Sequence, residues 1–174
     1  TVSGDWTVTF EGRGFDTLTK RMPDLTSWTE IPEVKHFSGT AKYELAFEVP
    51  REYCARDIRT ALDLGKVGDV AEVILNGTRV GVQWMRGQGL DVTDFVRPGE
   101  NHIEILVTNT LINRVSGLDK SPPVPADLVS HYGRGIPPLT QHMNVLSGFE
   151  PLPLSGLVGP IRIVAMKTVT LDLE

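Results

Sequence analysis

Apolar and polar residues alternate along most of this chain, which is the pattern of β-strands that bury one face. The clearest run covers residues 40–49, and Pro50 ends it because proline cannot donate to a strand ladder. Shorter runs of the same kind cover residues 5–10, 58–64, 161–165 and 168–171. No segment longer than about ten residues keeps the 3.6-residue period of an amphipathic helix. The pattern therefore predicts an all-β fold.

Two dipeptides mark tight turns between these runs. Asn76-Gly77 lies between two apolar segments, and both residues tolerate the positive φ that a type I′ hairpin requires. The same asparagine belongs to a glycosylation sequon with Thr78, but the hairpin explains the sequence better. Pro98-Gly99 turns the chain into another alternating strand at residues 102–107. Many short strands joined by such turns are typical of a β-sandwich or jelly roll.

Side chains in strand phase predict the hydrophobic core. This set consists of Tyr43, Leu45, Phe47, Val73, Leu75, Val80, Val82, Ile103 and Ile105. Trp84 continues the phase of Val80 and Val82, which favours core packing for its ring as well. Trp6 and Trp28 are expected in the core or at a domain interface.

Two regions interrupt the alternation. Residues 12–34 are polar and rich in turn formers. Residues 111–153, called the insertion below, contain seven prolines and show almost no alternation. Long irregular connections are uncommon in compact domains and are usually functional or disordered. Because this one carries apolar residues such as Leu128 and Phe149, we expect it to pack over one end or face of the sandwich.

Size, charge and cysteine content narrow the class of protein. A chain of 174 residues fits one domain, and its opening at Thr1 without methionine suggests a piece of a longer protein. The net charge of −5, without clustered Lys and Arg, disfavours a nucleic-acid partner. No apolar run approaches the roughly 20 residues that span a bilayer, so no membrane partner is expected. A single cysteine, Cys54, excludes an internal disulfide and a cysteine-based zinc site.

The sequence contains no recognisable catalytic pattern. A glycosidase needs two carboxylates roughly 5–10 Å apart, and nothing in the sequence selects a pair among the 22 acidic residues. Ser155-Gly156 lacks the G-x-S-x-G context of a nucleophile elbow, so a structural role is expected for Ser155. The four histidines show no short metal-ligand spacing. We therefore predict no catalytic residues and no metal ligands in this chain.

One long segment resembles a known family. Residues 62–109 read LDLGKVGDVAEVILNGTRVGVQWMRGQGLDVTDFVRPGENHIEILVTN. This segment resembles the β-sandwich domain that accompanies family 2 glycoside hydrolases, and the similar sandwich of family 106 rhamnosidase-like enzymes. Residues 37–43, the pair Asn113-Arg114 and residues 155–163 fit in the expected order. Together these matches span most of the chain.

The resemblance implies a jelly-roll sandwich of the galactose-binding-like type, formed by residues 1–174 as a single domain. It also implies that the acid and the nucleophile or base lie on a separate catalytic domain of the same polypeptide, which would be the main partner. The resemblance further implies a secreted or periplasmic location. A structural calcium is common in carbohydrate-binding sandwiches, but no Asp-rich loop signals one here, so no cofactor is expected.

Sugar recognition is the chemistry that remains. Sugar rings offer apolar faces to aromatic side chains and hydroxyls to polar groups, so a site needs both kinds of residue. Two neighbourhoods fit: Trp84, Arg86 and Asp91 after the hairpin, and Asn113, Arg114, His131, Tyr132 and Arg134 in the insertion. Tyr132 and Arg134 are the better candidates because no strand phase explains them. The alternative is that the insertion only covers a sheet edge or docks onto the catalytic domain.

The sequence leaves three candidate functions for this chain. The favoured one is a non-catalytic accessory domain that supports the catalytic domain of a glycoside hydrolase and contacts its substrate. The second is an autonomous carbohydrate-binding module that tethers an enzyme to polysaccharide. A self-sufficient hydrolase is disfavoured by the missing carboxylate pair. An autonomous module usually presents a coplanar aromatic platform, and the aromatic content of 7%, mostly in strand phase, favours the accessory domain.

Overall fold

The computed structural model describes residues 1–85, 87–118 and 152–169. Within these ranges antiparallel strands dominate, which confirms the all-β prediction. The strands are β1 (Trp6–Gly12), β2 (Phe15–Met22), β3 (Thr40–Val49), β4 (Ile58–Asp63), β5 (Lys66–Gly68), β6 (Val70–Leu75), β7 (Thr78–Gln83), β8 (Leu90–Asp91), β9 (Gly99–Thr108), β10 (Gly156–Gly159) and β11 (Arg162–Lys167). The helical segments are three 3-10 turns at Trp28–Glu30, Pro32–Val34 and Arg51–Cys54, and one short α-helix, α1 (Ile112–Ser116). In the described ranges no helix has the length and apolar character needed to cross a membrane.

The strands form two layers around one core. A six-stranded sheet has the order β2-β1-β3-β9-β6-β7, and the smaller sheets have the orders β11-β4-β8 and β10-β5. Strands β3 and β9 lie at the centre of the large sheet and pair from Thr40–Thr108 to Val49–Gly99. Leu62 and Leu157 from the smaller sheets, and Leu64 between β4 and β5, belong to the same buried cluster as the large sheet's inner face. The fold is therefore a β-sandwich, while the jelly-roll connectivity stays a prediction.

The core follows the predicted phase in most strands. The inner positions of β3, β6 and β9 are buried, from Tyr43 and Val73 to Ile103 and Ile105, except that Phe47 is only partly buried against the core. Phe10, Trp28 and Phe37 meet edge to face, with ring centroids 5.3–5.5 Å apart. Trp6 and Trp28 are both fully enclosed, which places them in the core rather than at a domain interface.

The hairpin between β6 and β7 has the predicted turn. Asn76 has a φ of +51° and Gly77 a φ of +78°. The Asn76 amide nitrogen donates to the Phe95 carbonyl at 2.9 Å and to Asn101 Oδ1 at 2.8 Å, and its Oδ1 accepts from His102 N at 3.0 Å. The Asn76 side chain therefore ties the hairpin to neighbouring loops, so its amide nitrogen is already engaged within the fold.

The prediction that Val80 and Val82 share the core face of β7 is wrong for Val82. Val73 pairs with Gly81 and Ile74 with Arg79, so Val80 is an extra residue that forms a β-bulge. A slip of one residue moves every following side chain to the opposite face. Val82 accordingly lies beside Glu72 on the outer face, whereas Val80 packs partly against the core.

The polar region 12–34 is also more regular than predicted, because it contains β2 and two 3-10 turns. β2 is the edge strand of the large sheet, and only Met22 of its eight residues is buried. Ion pairs between Lys20 and Glu33 and between Arg21 and Asp5 lie along it. The inner face of β2 carries Leu18, Lys20 and Met22, and Lys20 interrupts the apolar phase by which a strand is recognised. Charged side chains at a sheet edge also protect it from aggregation.

A buried hydroxyl joins the large sheet to the segments opposite it. Tyr43 Oη, in the central strand β3, accepts hydrogen bonds from Trp28 Nε1 at 2.6 Å and from the Leu157 amide at 3.1 Å. Burial raises the pKa of Tyr43 to about 12, so the hydroxyl stays neutral. Gly156 has a φ of +88°, and a Cβ there would overlap the Trp28 indole. The indole and β10 therefore approach closely only because this residue is glycine.

Ser155 extends this contact into a network. Its Oγ accepts from Asn109 Nδ2 at 3.2 Å and from Asn113 Nδ2 at 3.0 Å. Its carbonyl accepts from the Trp28 amide at 3.0 Å, and its own amide donates to Ser27 Oγ at 3.2 Å. Ser155 is buried, and these bonds give it the structural role predicted from sequence. The strand that follows the insertion is thereby fixed to the end of β9 and to an early turn.

The corrected register of β7 can be tested by substitution. We expect Leu75→Ala and Ile105→Ala each to lower the free energy of unfolding by about 2–5 kcal/mol, because both side chains are fully buried. Val82→Ala, on the outer face, should cost about 1 kcal/mol or less and serves as the control. Urea denaturation measures all three. Equal losses for Leu75→Ala and Val82→Ala would contradict the bulge.

The role of the Tyr43 hydroxyl can be tested by removing that oxygen alone. Tyr43→Phe leaves two buried donors without their acceptor, and each such donor costs about 1–3 kcal/mol. We expect the free energy of unfolding to fall by about 2–6 kcal/mol in urea denaturation. Tyr53→Phe, at a half-buried tyrosine, is the matched control and should change it by about 0.5 kcal/mol or less. A Tyr43→Phe protein as stable as the control would show that this hydroxyl does not join the layers.

Candidate functional site

A cavity of about 290 Å³ opens where β7 ends, and we call it the Trp84 cavity. Three separate segments form its walls: the corner between β5 and β6, the residues that follow β7, and the residues that precede β10. The side chains and backbone that matter most to it belong to Gly68, Asp69, Gln83, Trp84, Met85 and Leu154. It lies at the end of the sandwich where β9 finishes, since Ala71 pairs with both Gln83 and Val107.

Trp84 is the most exposed large apolar residue on its wall. Its relative exposure is 65%, and that of the neighbouring Met85 is 51%. The expectation that Trp84 packs in the core is therefore wrong, because the bulge at Val80 reverses the phase of the strand that leads to it. Among the aromatic residues that the structure describes, Trp84 alone is exposed.

Asp69 is held at the cavity by its backbone and by its side chain. It adopts a φ of +73°, a left-handed conformation that aspartate tolerates better than most residues. Its Oδ2 accepts from the Thr110 amide at 3.0 Å, which links the β5–β6 corner to the chain after β9. The carboxylate is otherwise exposed, so it can accept hydrogen bonds from a ligand.

Gln83 contributes a buried polar group. It pairs with Ala71 on the core side of β7 and is only 4% exposed. Its Oε1 is buried and has no hydrogen-bond partner in the part of the chain that the structure describes. Buried polar atoms are nearly always paired, and an unpaired one costs about 1–3 kcal/mol. Gln83 Oε1 is therefore a buried acceptor at the cavity that no described donor satisfies.

The third wall is fixed by the Ser155 network. Leu154 precedes Ser155, so the bonds to Asn109, Asn113 and Ser27 also set the position of Leu154. A Cβ on Gly68 would lie 2.5 Å from the Leu154 carbonyl, so only glycine permits this approach of the two segments. The cavity wall is therefore built on a buried and hydrogen-bonded segment.

Asp91 was predicted beside Trp84, but it does not line the Trp84 cavity. Its Oδ1 accepts from the Thr93 amide at 3.0 Å and from Thr93 Oγ1 at 2.6 Å, and Arg59 lies 3.6 Å from Oδ2. The hydrogen bond from the Thr93 hydroxyl is the main reason that the pKa of Asp91 is lowered. The geometry is that of an Asx turn that ends β8.

Asn113 and Arg114 fasten α1 to the first part of the chain. The Asn113 side chain is completely buried and donates to Ser155, while its carbonyl accepts from His36 Nδ1 at 3.1 Å. The Arg114 amide donates to Ser38 Oγ at 3.1 Å, and its exposed guanidinium donates to the Arg13 carbonyl. Asn113 thus has no surface from which to touch a sugar in this arrangement, whereas Arg114 does.

The other predicted site residues, Arg86, His131, Tyr132 and Arg134, lie outside the described residues. Their contact with carbohydrate stays a prediction. Sequence reasoning missed Asp69 and Gln83. Nothing in the strand pattern marks Gln83 as inward-facing, because that follows only from the bulge. Within the described ranges no three His, Cys, Asp or Glu side chains are grouped so that they could hold a metal ion.

Comparison with known proteins gives a consistent result, although no family model matches the chain. The chain is 35% identical to a predicted β-glucuronidase of Formosa agariphila over 93% of its own length and 15% of that protein. The structure of a rhamnosidase from Novosphingobium sp. PP1Y matches with a TM-score of 0.75 at 33% identity, over 95% of this chain and 15% of that one.

A more distant match supports the fold alone. The β-glucuronidase of Ruminococcus gnavus aligns with a TM-score of 0.52 at 19% identity, over 62% of this chain and 20% of that one. The chain spans about 15% of the length of its two nearer relatives while matching them over nearly its whole length. It therefore corresponds to one small part of each. The chain is a β-sandwich domain of the kind carried by larger glycoside hydrolases.

Proposed function

We propose that this domain is a non-catalytic accessory part of a secreted or periplasmic glycoside hydrolase, where it supports the catalytic domain and contacts carbohydrate. The observation that carries the proposal is coverage: the domain accounts for about 15% of each enzyme that it resembles, which leaves most of each polypeptide for the catalytic apparatus. The proposed role requires no cofactor.

The described acidic residues support a non-catalytic role. Glu44 and Glu104 are directly opposite each other on the outer face of β3 and β9, where Lys42 and His102 lie close to them. A general acid needs a carboxyl group whose pKa is raised by an apolar site. The pKa values of Glu33 and Asp91 are instead lowered, mainly by hydrogen bonds from Lys20 and Thr93. Glu33 and Asp91 therefore stay ionised at neutral pH, which does not suit either of them to protonate a leaving group.

The exposed aromatic surface favours an accessory domain over an autonomous module. A module that grips a polysaccharide chain needs several coplanar rings. In the described ranges Trp84 is the one exposed aromatic ring, while Trp6, Trp28 and Phe37 are used in the core. One exposed ring can stack on one sugar unit. This is what we expect of an accessory domain that contributes a side chain to the substrate cleft of the catalytic domain.

The absence of catalysis can be measured directly. We expect the purified domain to release no aglycone above the buffer rate from aryl rhamnosides, glucuronides or galactosides, because the catalytic carboxylates lie elsewhere in the parent enzyme. The parent enzyme, assayed in parallel at equal molarity, is the positive control. Reproducible turnover by the domain that one Asp or Glu substitution abolishes would overturn the accessory role.

A further inference from the structure

The Trp84 cavity brings together features that a β-sandwich does not need for stability. We propose that it binds a single neutral pyranose ring, which stacks on the Trp84 indole and donates hydroxyl hydrogen bonds to Asp69 and Gln83. This inference rests on the proposed carbohydrate contact and names the site and the class of sugar.

The indole supplies the apolar surface. Trp84 and Met85 are both more than half exposed, and Leu154, at 41% exposure, faces the same cavity. Isolated exposed apolar side chains are ordinary, but three around one concave site mark a place where a ligand or partner is bound. The C–H face of a pyranose is apolar, so it can cover an indole ring while the hydroxyl edge points to polar groups.

The polar groups of the cavity are hydrogen-bond acceptors. The Asp69 carboxylate keeps free lone pairs after it accepts from Thr110, and Gln83 carries a buried Oε1 without a partner in the described chain. Sugar hydroxyls can donate hydrogen bonds to both of these acceptors. A ligand hydroxyl that donates to Gln83 Oε1 would remove the cost of leaving this buried oxygen unpaired.

Charge and size decide between sugars. Asp69 is the one ionisable side chain among the described residues that line the cavity, and Lys66 lines an adjoining depression instead. A uronate would bring its carboxylate toward another carboxylate, which is unfavourable. The volume of about 290 Å³ lies at the lower limit of pockets for drug-sized ligands, roughly 300–1,000 Å³, so it suits one ring rather than a chain.

The three tryptophans make the test specific. Trp6 and Trp28 are buried in the core and act as internal controls for Trp84 in an indole N–H spectrum of the folded domain. We expect methyl β-D-glucopyranoside or methyl α-L-rhamnopyranoside to shift the Trp84 signal saturably, with a Kd on the order of 1 mM. Methyl β-D-glucuronide should bind at least threefold more weakly. The Trp6 and Trp28 signals should not move.

Two variants test the acceptors. Asp69→Asn keeps a residue that tolerates positive φ, and Gln83→Leu removes the unpaired amide. Each should weaken the neutral sugar at least tenfold, while Gln83→Leu leaves the melting temperature equal or higher. Met166→Ala, at an exposed position on β11, is the matched control and should bind like the parent.

Three results would overturn the proposal. One is a Trp84 signal that no sugar moves. Another is an unchanged Kd in both Asp69→Asn and Gln83→Leu. The third is glucuronide binding as tight as that of the neutral sugars. None of these results would affect the accessory role itself, which fails only if the domain hydrolyses glycosides.

Discussion

One buried oxygen connects three parts of this domain that lie far apart in the sequence. Tyr43 Oη accepts from Trp28 Nε1 and from the Leu157 amide, so an early turn, the central strand and the strand after the insertion meet at a single atom. Ser155 adds bonds to Asn109 and Asn113 beside it. Without this oxygen the Trp28 indole N–H and the Leu157 amide would be buried donors without an acceptor, at a cost of about 1–3 kcal/mol each. The position of β10 therefore depends on this oxygen and not only on apolar packing.

The candidate site is built on that arrangement. The network fixes Leu154, and Gly68 lets the backbone of β5 come close to it. The opposite wall comes from the bulge at Val80, which turns Trp84 to the surface and Gln83 inward. The regular strands thus form a rigid frame. The bulge at Val80 and the close approach at Gly68 place the polar and aromatic groups of the site at one end of it. This division of labour suits an accessory domain, whose frame must be stable while its loops meet a ligand or a neighbouring domain.

Much of the frame could be predicted from the sequence, because alternation and turn chemistry are local. Residues 40–49 alternate without interruption, and Asn76-Gly77 has the positive φ values that its turn requires. The bulge could not be predicted, since Val80, Val82 and Trp84 read as one continuous face. β2 was missed because Lys20 lies between Leu18 and Met22 on its inner face and interrupts the apolar phase. Asp69 and Gln83 are site residues only through pairing with distant segments, which local patterns do not encode.

Native-state hydrogen exchange at the Leu157 amide shows whether β10 is held in place by Tyr43 Oη. This amide donates to Tyr43 Oη, and the amide of Ile105, in a strand paired on both sides, is the internal reference for global unfolding. We expect both amides to exchange only through global opening, with the same free energy as urea denaturation gives. Exchange of Leu157 at a free energy several kcal/mol below that of Ile105 would show instead that β10 opens by itself and that Tyr43 Oη does not hold it.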